Sequence, residues 1–205
     1  MSLVTLPCED FAEKLASKDS VPGGGGAAAL AGALGAALAS MVGNLTTGKK
    51  KYAAFEEDIQ RILKSAEEFR LQLLACVDKD AEAFAPLAKA YGIPKDDPTR
   101  VEVMEQALNI ACSVPLEIIR LSVQTLALLE ELVEKGSTLA VSDVGCGAAM
   151  CRAAAESASL SVYINTKTMQ DRTVANEIET ETENLVKHCV SKASFIYEEV
   201  SNKLK

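Results

Sequence analysis

A stretch without a single charged side chain, residues 20–48, constrains the fold of this chain more than any other feature. It is long enough to invite a membrane-spanning interpretation. It opens with Pro22 and four glycines, continues mostly in Ala and Gly, and ends in polar residues, so its hydrophobic drive is weak. We therefore predict a helix over 26–47 with small-residue faces such as Gly32 and Ala36. Such faces let helix backbones approach closely, in a core or at a subunit contact.

The remainder of the chain also has helical periodicity. Apolar residues recur at steps of three and four through 55–84, 104–132 and 178–200, which predicts long helices. A further helix capped by Ser137 or Thr138 is expected between the last two, and Thr99 with Glu102 has the pattern of a capping box. Residues 91–98 carry loop signals, and no strand-like alternation, internal repeat or linker interrupts the pattern. The sequence predicts an all-α multihelical bundle of about five to six long helices, forming one domain over 1–205.

Charge and cysteine usage narrow the class of protein. The formal net charge of −8 argues against a nucleic-acid binder, whose footprint would be basic. The six cysteines form no C-x-x-C pair and the chain has one histidine, so no metal site is expected. Scattered thiols are typical of a reducing compartment, and no signal peptide opens the chain. We expect a cytoplasmic protein without a membrane or nucleic-acid partner.

The segment GNLTTGKKKY, residues 43–52, satisfies most of the phosphate-loop pattern G-x-x-x-x-G-K-[ST]. A phosphate loop needs a strand before it and a helix after it, whereas this segment follows a helix. Lys50 also replaces the hydroxyl residue that would hold magnesium. Gly48 is better interpreted as the end of a helix. The lysines Lys49, Lys50 and Lys51 form either a solvated turn or a cationic patch for an anionic substrate.

Two carboxylates interrupt apolar helix faces. Asp80 has Cys76 and Val77 one turn before it and Phe84 one turn after it. Burial of a carboxylate is costly and raises its pKa, so Asp80 is either a structural partner for an Arg or a helix end, or an acid-base group. With one histidine in the chain, acid-base chemistry falls largely to carboxylates, Lys or Tyr.

The second carboxylate is Asp143, which lies beside Ser142 in the otherwise apolar run TLAVSDVGCGAAMC. A helix cap and a catalytic site are both open interpretations for this pair. Asp171 is expected to cap the last helix, and Asn165 could orient a heterocyclic amide. The glycines 23–26 would let a ligand or another backbone approach closely.

Together these stretches resemble the formimidoyltetrahydrofolate cyclodeaminase family. This family includes the C-terminal half of formiminotransferase-cyclodeaminase and free-standing bacterial methenyltetrahydrofolate cyclohydrolases. The resemblance spans essentially the whole chain and is carried by residues 22–52, 78–84, 142–145 and 164–171. One departure is visible: Gly26 stands where the family pattern usually has Ser.

The resemblance implies an all-helical homodimer that acts on a one-carbon tetrahydrofolate, with a glutamate or polyglutamate tail, and needs no other cofactor. The first expectation is cyclisation of 5-formimino-tetrahydrofolate to 5,10-methenyl-tetrahydrofolate with release of ammonia. The alternatives are hydrolysis of the methenyl compound to 10-formyl-tetrahydrofolate, or a helical dimer that binds folate or is purely structural.

The residues singled out above receive roles under the same resemblance. Asp143 is expected to be the main catalytic carboxylate, with Asp80 and Ser142 beside it. These distant segments would converge between packed helices. The expected substrate-binding residues are Gly24, Gly25, Gly26, Lys49, Lys50, Lys51, Asn165 and Asp171, with the lysines on the glutamate tail.

Overall fold

The computed structural model describes residues 2–205, which fold into helices and contain no strand. The helices are α1 (Cys8–Leu15), α2 (Gly24–Asn44), α3 (Glu56–Tyr91), α4 (Arg100–Lys135), α5 (Val141–Thr166) and α6 (Arg172–Leu204). Short 3₁₀ turns cover Leu3–Thr5, Lys50–Phe55 and Thr138–Ala140. The prediction of an all-α bundle with five to six long helices is confirmed.

Helix α2 lies inside the bundle, packed between α3 and α5, because its small residues leave room for both neighbours. A Cβ added at Gly35 would lie 2.6 Å from the Cys151 sulfur, and one at Gly43 would lie 2.8 Å from Leu63. Gly32 abuts Leu73 of α3, and Ala36 is completely buried. Of the two environments considered for Gly32 and Ala36, a core and a subunit contact, the structure shows the core, since their face is used within the chain.

The helix ends follow the sequence signals in part. Gly48 has a φ of +72°, a left-handed conformation that favours glycine, but α2 already ends at Asn44 with Leu45 as its C-cap, so the prediction that Gly48 ends the helix is wrong. Asp171 caps α6 by accepting from the backbone N–H groups of Thr173 and Val174. The capping box at Thr99 does not form. Asp97 instead accepts hydrogen bonds from the Thr99 N–H (2.8 Å) and hydroxyl (2.7 Å). A carboxylate two residues upstream therefore competes successfully for the Thr99 side chain.

Helices α2 and α5 run antiparallel, which gives the bundle two distinct ends. The first turn of α2 lies beside Asp80 and the last turn of α5, and Gly35 then meets Gly147 and Cys151 near the middle of α5. We call the first region the Gly25 end. The opposite region, where Lys51 and Tyr52 contact Thr138 just before α5, is the Lys51 end.

By length and hydropathy alone, α2 and α4 could each cross a membrane. In the bundle, 56% of the apolar window of α2 and 67% of that of α4 are buried against other helices. The core helices of soluble bundles can have the same length and hydropathy as membrane-spanning helices.

Candidate active site at the Gly25 end

A cavity of about 190 Å³ opens where the start of α2 meets α3, α4 and the end of α5. Its walls include Asp80 and Phe84 from α3, Pro115 from α4, and Ser161 and Asn165 from α5. The loop before α2 and the first glycines of α2 close it. The cavity is largely apolar, with a small number of polar groups that point into it, and this combination is typical of small-molecule binding sites.

Asp80 is held against the backbone of the first turn of α2. A Cβ at Gly25 would lie 2.2 Å from an Asp80 carboxylate oxygen, so only glycine permits this approach. Burial raises the pKa of Asp80, and a hydrogen bond from the Gly26 backbone N–H opposes that rise. The unpaired N–H groups at a helix N-terminus also favour a carboxylate. Asp80 is therefore a desolvated but ionisable group facing the cavity, the environment typical of an acid-base residue.

Gly24, Gly25 and Gly26 have different surroundings in the first turn of α2. Gly24 and Gly25 line the cavity, and a Cβ at Gly24 would meet nothing within 4 Å. A Cβ at Gly26 would instead contact Pro22 at 3.4 Å and lie 3.8 Å from the Val77 carbonyl oxygen. Gly26 is not among the cavity residues, so it takes part through its backbone. A serine here, as in the family that the sequence resembles, would place its Cβ in ordinary van der Waals contact with these residues.

Asn165 lines the cavity at the end of α5, and the thiol of Cys112 donates to the Val162 carbonyl oxygen at 4.0 Å. Burial raises the pKa of that thiol to about 11, so the thiol stays protonated at neutral pH. Asp171 lies beyond the cavity, where its carboxylate caps α6. Its own N–H donates to Glu105 at 3.1 Å.

Phe84 and Ser161 are cavity residues that the sequence analysis did not assign to the site. Phe84 follows Asp80 by four residues, and Ser161 precedes Asn165 by four. Residues four apart share one helix face, so this spacing from the two assigned residues is the signal that could have found them.

The other predicted residues lie at the Lys51 end. Lys49, Lys50 and Lys51 are exposed, with Lys50 and Lys51 in the 3₁₀ turn that leads into α3. The Lys51 ammonium donates to the Thr138 hydroxyl at 3.4 Å and lies 5.2 Å from the centre of the Tyr52 ring. These lysines surround a polar contact between two turns rather than the Gly25-end cavity.

Tyr52 is a further candidate at this end, and the sequence analysis gave it no role. Its side chain is buried, and its phenol oxygen accepts from the Thr138 N–H at 3.0 Å. Hydrogen bonds from the Thr138 side chain and then its backbone N–H lower the pKa of Tyr52 to about 7. Tyr52 directly follows the lysines, which was the available signal.

Asp143 lies in the first turn of α5, half-buried, with Ser142 exposed beside it. The N-cap of this helix is Ala140, whose side chain makes no cap bond. Asp143 precedes Asn165 by 22 residues of continuous helix, which separates them by about 33 Å. Because Asn165 and Asp80 share one cavity, the expectation that Asp143 and Asp80 converge within one chain is wrong.

Comparison with known proteins places this geometry in a family. A family model described as formiminotransferase-cyclodeaminase matches residues 7–184. The chain belongs to this family. The matched residues include those that line the Gly25-end cavity and those of the Lys51 end.

Relatives within the family differ in their named reactions. A methenyltetrahydrofolate cyclohydrolase from Methylorubrum extorquens is 40% identical over 200 residues, covering 96% of each chain. The mouse formimidoyltransferase-cyclodeaminase is 30% identical over 199 residues, and the match spans 95% of this chain but only 37% of that protein. The crystal structure of a formiminotetrahydrofolate cyclodeaminase from Thermotoga maritima superposes with a TM-score of 0.83, at 32% identity, covering 98% of this chain and 96% of that one.

Proposed function

We propose that this protein is a methenyltetrahydrofolate cyclohydrolase, which adds water to the 5,10-methenyl bridge of tetrahydrofolate and releases 10-formyl-tetrahydrofolate. The sequence analysis placed the cyclodeaminase reaction first. The 40% identity to a cyclohydrolase that matches along its whole length favours the reverse order. The main support for an acid-base reaction at this site is the position of the Asp80 carboxylate, which is desolvated against Gly25 in the first turn of α2 and faces the cavity.

Asp80 suits each step of this hydrolysis. The methenyl carbon is cationic, so a nearby carboxylate stabilises it by charge. As water adds to that carbon, Asp80 takes a proton from the water. The proton is then returned to N5, the carbon–N5 bond breaks, and the remaining hydroxyl proton leaves to solvent as the formyl group stays on N10. A carboxylate whose pKa is raised towards neutrality can both accept and return this proton.

The surrounding residues supply orientation. The Asn165 amide can pair with the amide edge of the pteridine ring, and Phe84 gives an apolar wall against which a flat ring can stack. The tetrahydrofolate is the substrate, and no other cofactor is needed for these proton transfers. Positioning the methenyl carbon beside Asp80 makes the attack of water effectively unimolecular, which lowers the entropic cost of the reaction.

Cyclisation of 5-formimino-tetrahydrofolate is the second candidate, favoured by the similarity to the Thermotoga maritima cyclodeaminase structure over nearly the whole of both chains. In that reaction N10 attacks the carbon of the protonated formimino group, Asp80 moves the N10 proton to the leaving nitrogen, and that nitrogen departs as ammonia to leave the methenyl cation. Both reactions pass through a tetrahedral carbon between N5 and N10, so one carboxylate serves either.

Purified protein incubated with each folate in turn separates the two candidates. The methenyl absorbance should fall when 5,10-methenyl-tetrahydrofolate is supplied. Ammonia release and a rise in methenyl absorbance from 5-formimino-tetrahydrofolate, with slow methenyl hydrolysis, would favour the second candidate. Inactivity on both, with folate binding intact by calorimetry, would contradict a catalytic role and leave a folate-binding helical protein.

A further inference from the structure

The segment before α2, residues 2–22, supplies the wall of the Gly25-end cavity that is least firmly held. Ser20 and Val21 from this segment line the cavity. In the part of the chain that the structure describes, residues 18–22 form no backbone hydrogen bond with another element, and the bonds of Asp19 stay within the segment. A stretch with so few attachments opens at a low free-energy cost.

The segment is attached to the bundle mainly at its start. Leu3 and Phe11 are its buried apolar side chains. The carboxylate of Asp78 on α3 accepts hydrogen bonds from the Ser2 hydroxyl and from the Leu3 N–H, the latter at 2.5 Å. Among the described residues, these two bonds are the polar links between residues 2–22 and the helices of the bundle. Hydrogen bonds to an ionised carboxylate are stronger than neutral ones, so Asp78 dominates this attachment.

The segment contacts successive sides of α3. Leu3 is bonded to Asp78. Val21 and Ala81 line the same hollow, and the first turn of α2 then meets Asp80. The side chains of Asp78 and Asp80 point about 160° apart around the helix axis, with Ala81 between them. The segment therefore wraps around α3, and Asp78 holds one end of a chain whose other end covers Asp80.

Val21 separates the cavity from a second hollow, which lies between the segment and α3. The cavity measures about 190 Å³, which is below the range of roughly 300–1,000 Å³ usual for ligand pockets. The second hollow measures about 440 Å³, and Val21 lines both. Because a tetrahydrofolate is larger than the cavity, one wall has to move. The wall that carries Val21 has few attachments and free space behind it.

We propose that residues 2–22 form a strap over the active site and that Asp78 holds this strap closed. The strap opens at Val21 to admit the folate and closes again behind it, and the hydrogen bonds of Asp78 set the balance between the two states. Asp78 does not line the cavity, so it is a positioning residue that acts through Leu3 and Val21. This inference rests on the proposed function for the identity of the ligand.

Thiol labelling of the strap tests this role of Asp78 without substrate. In a Cys8→Ser, Cys146→Ser background, which removes the two exposed thiols, Val21→Cys reports opening because Val21 is half-buried in the closed strap. Asp78→Ala should raise the labelling rate at position 21 by about tenfold or more, since two charge-assisted hydrogen bonds are lost. Asp78→Asn keeps an oxygen that can accept from Leu3 and should raise the rate less. An unchanged rate in Asp78→Ala would overturn the proposal.

The buried thiols of Cys151 and Cys189 distinguish strap opening from general loosening of the fold. Both lie in the core, so they react only when the bundle itself opens, and Asp78→Ala should leave their labelling rates unchanged. A parallel rise at these thiols would show that Asp78 only stabilises the fold and would overturn its positioning role.

Glu82→Gln is the matched control for the loss of charge. Glu82 is an exposed acid one turn after Asp78 on α3, and it takes no part in the hydrogen bonds of the strap. Labelling at position 21 should therefore keep its original rate in this variant. A rise as large as that of Asp78→Ala would mean that any lost negative charge opens the segment, and would overturn the specific role of Asp78.

Folate binding and kinetics connect the strap to the active site. In the labelling background with Asp80→Asn, which should bind folate without converting it, saturating 5,10-methenyl-tetrahydrofolate should slow labelling at position 21 several-fold. With Asp80 intact, Asp78→Ala should raise KM about tenfold and change kcat by less than about threefold, because the reacting groups are untouched. A fall in kcat at constant KM would overturn the positioning role.

The strap and the reaction can be rejected separately. Labelling that depends on Asp78, in a protein that neither binds nor converts either folate, would retain the strap and reject the proposed function. Turnover of folate in a protein whose labelling ignores Asp78 would retain the function and overturn the strap.

Discussion

The two ends of the bundle contain similar polar residue types, but the side chains are buried at one end and mostly exposed at the other. At the Gly25 end, helix packing desolvates Asp80 and surrounds it with an enclosed cavity. At the Lys51 end, Lys49–Lys51 and Ser142 are exposed and Asp143 is half-buried at the start of a helix. The same residue types therefore form a site at one end and an open polar surface at the other. The difference comes from packing, since burial raises the pKa of a carboxylate and excludes water.

Replacing Asp80 by Asn should produce the largest effect, because among the described residues it is the only carboxylate that lines the Gly25-end cavity. We expect kcat to fall by about 10²–10⁴, the range for a general acid-base group. Steady-state kinetics would measure this loss. Glu82→Gln, which changes an exposed acid on the same helix, is the matched control and should leave kcat close to wild type.

The stability of Asp80→Asn should move in the opposite direction. Burial raises the pKa of Asp80 in the folded state, so its stability contribution is present below the unfolded pKa and is lost as pH rises through the folded pKa. The uncharged amide of Asp80→Asn has no such loss, so the variant should melt at or above the wild-type temperature at neutral pH, with the difference shrinking in acid. A variant that melts lower and turns over normally would make Asp80 structural.

Adding a methyl group at Gly25 tests the close contact itself. The new Cβ would lie 2.2 Å from the Asp80 carboxylate, so the carboxylate or the helix start must shift. We expect Gly25→Ala to cost roughly 1–3 kcal/mol of unfolding free energy and to lower activity. Denaturant unfolding compared with Gly24→Ala, whose Cβ meets nothing within 4 Å, isolates the contact. Equal stability of the two variants would contradict it.

Neutralising the lysine patch at the Lys51 end should have a moderate effect that depends on substrate charge. Exposed ion pairs contribute about 0.2–1 kcal/mol each, so changing Lys49, Lys50 and Lys51 to Gln should raise KM by roughly threefold to a hundredfold for polyglutamylated folate. The increase for the monoglutamate should be smaller. Lys187→Gln on the exposed surface of α6 serves as control. Micromolar ATP binding by calorimetry would instead revive the phosphate-loop interpretation.

The smallest expected effect is spectroscopic and concerns Tyr52. With its pKa lowered to about 7, one tyrosine should ionise near neutral pH in an absorbance titration, and Tyr52→Phe should lack that step. Because the folded pKa is depressed, the stability from this group is present at alkaline pH and is lost as pH falls through about 7. A wild-type titration without a neutral step would show that the Thr138 hydrogen bonds do not favour the phenolate.

Residue spacing alone determined the secondary structure and several local features. Apolar periodicity predicted the long helices, because a buried stripe must recur every 3.6 residues whatever the stripe packs against. Asp171 as a helix cap was predictable for the same reason, since a cap depends on neighbours within a few residues. Asp80 could be singled out because its own helix carries the apolar neighbours that desolvate it.

Only the tertiary structure decided which distant residues meet. The sequence did not reveal that Asp143 begins α5 and Asn165 ends it on opposite ends of the bundle, because helix direction and register depend on contacts between segments far apart in sequence. Nor did it show that Gly32 and Ala36 face Leu73 and the core rather than another subunit. An uncharged helix of small residues is compatible with burial on any side. The larger neighbours Leu73 and Cys151 determined which side of α2 is buried and left Leu34 and Met41 exposed.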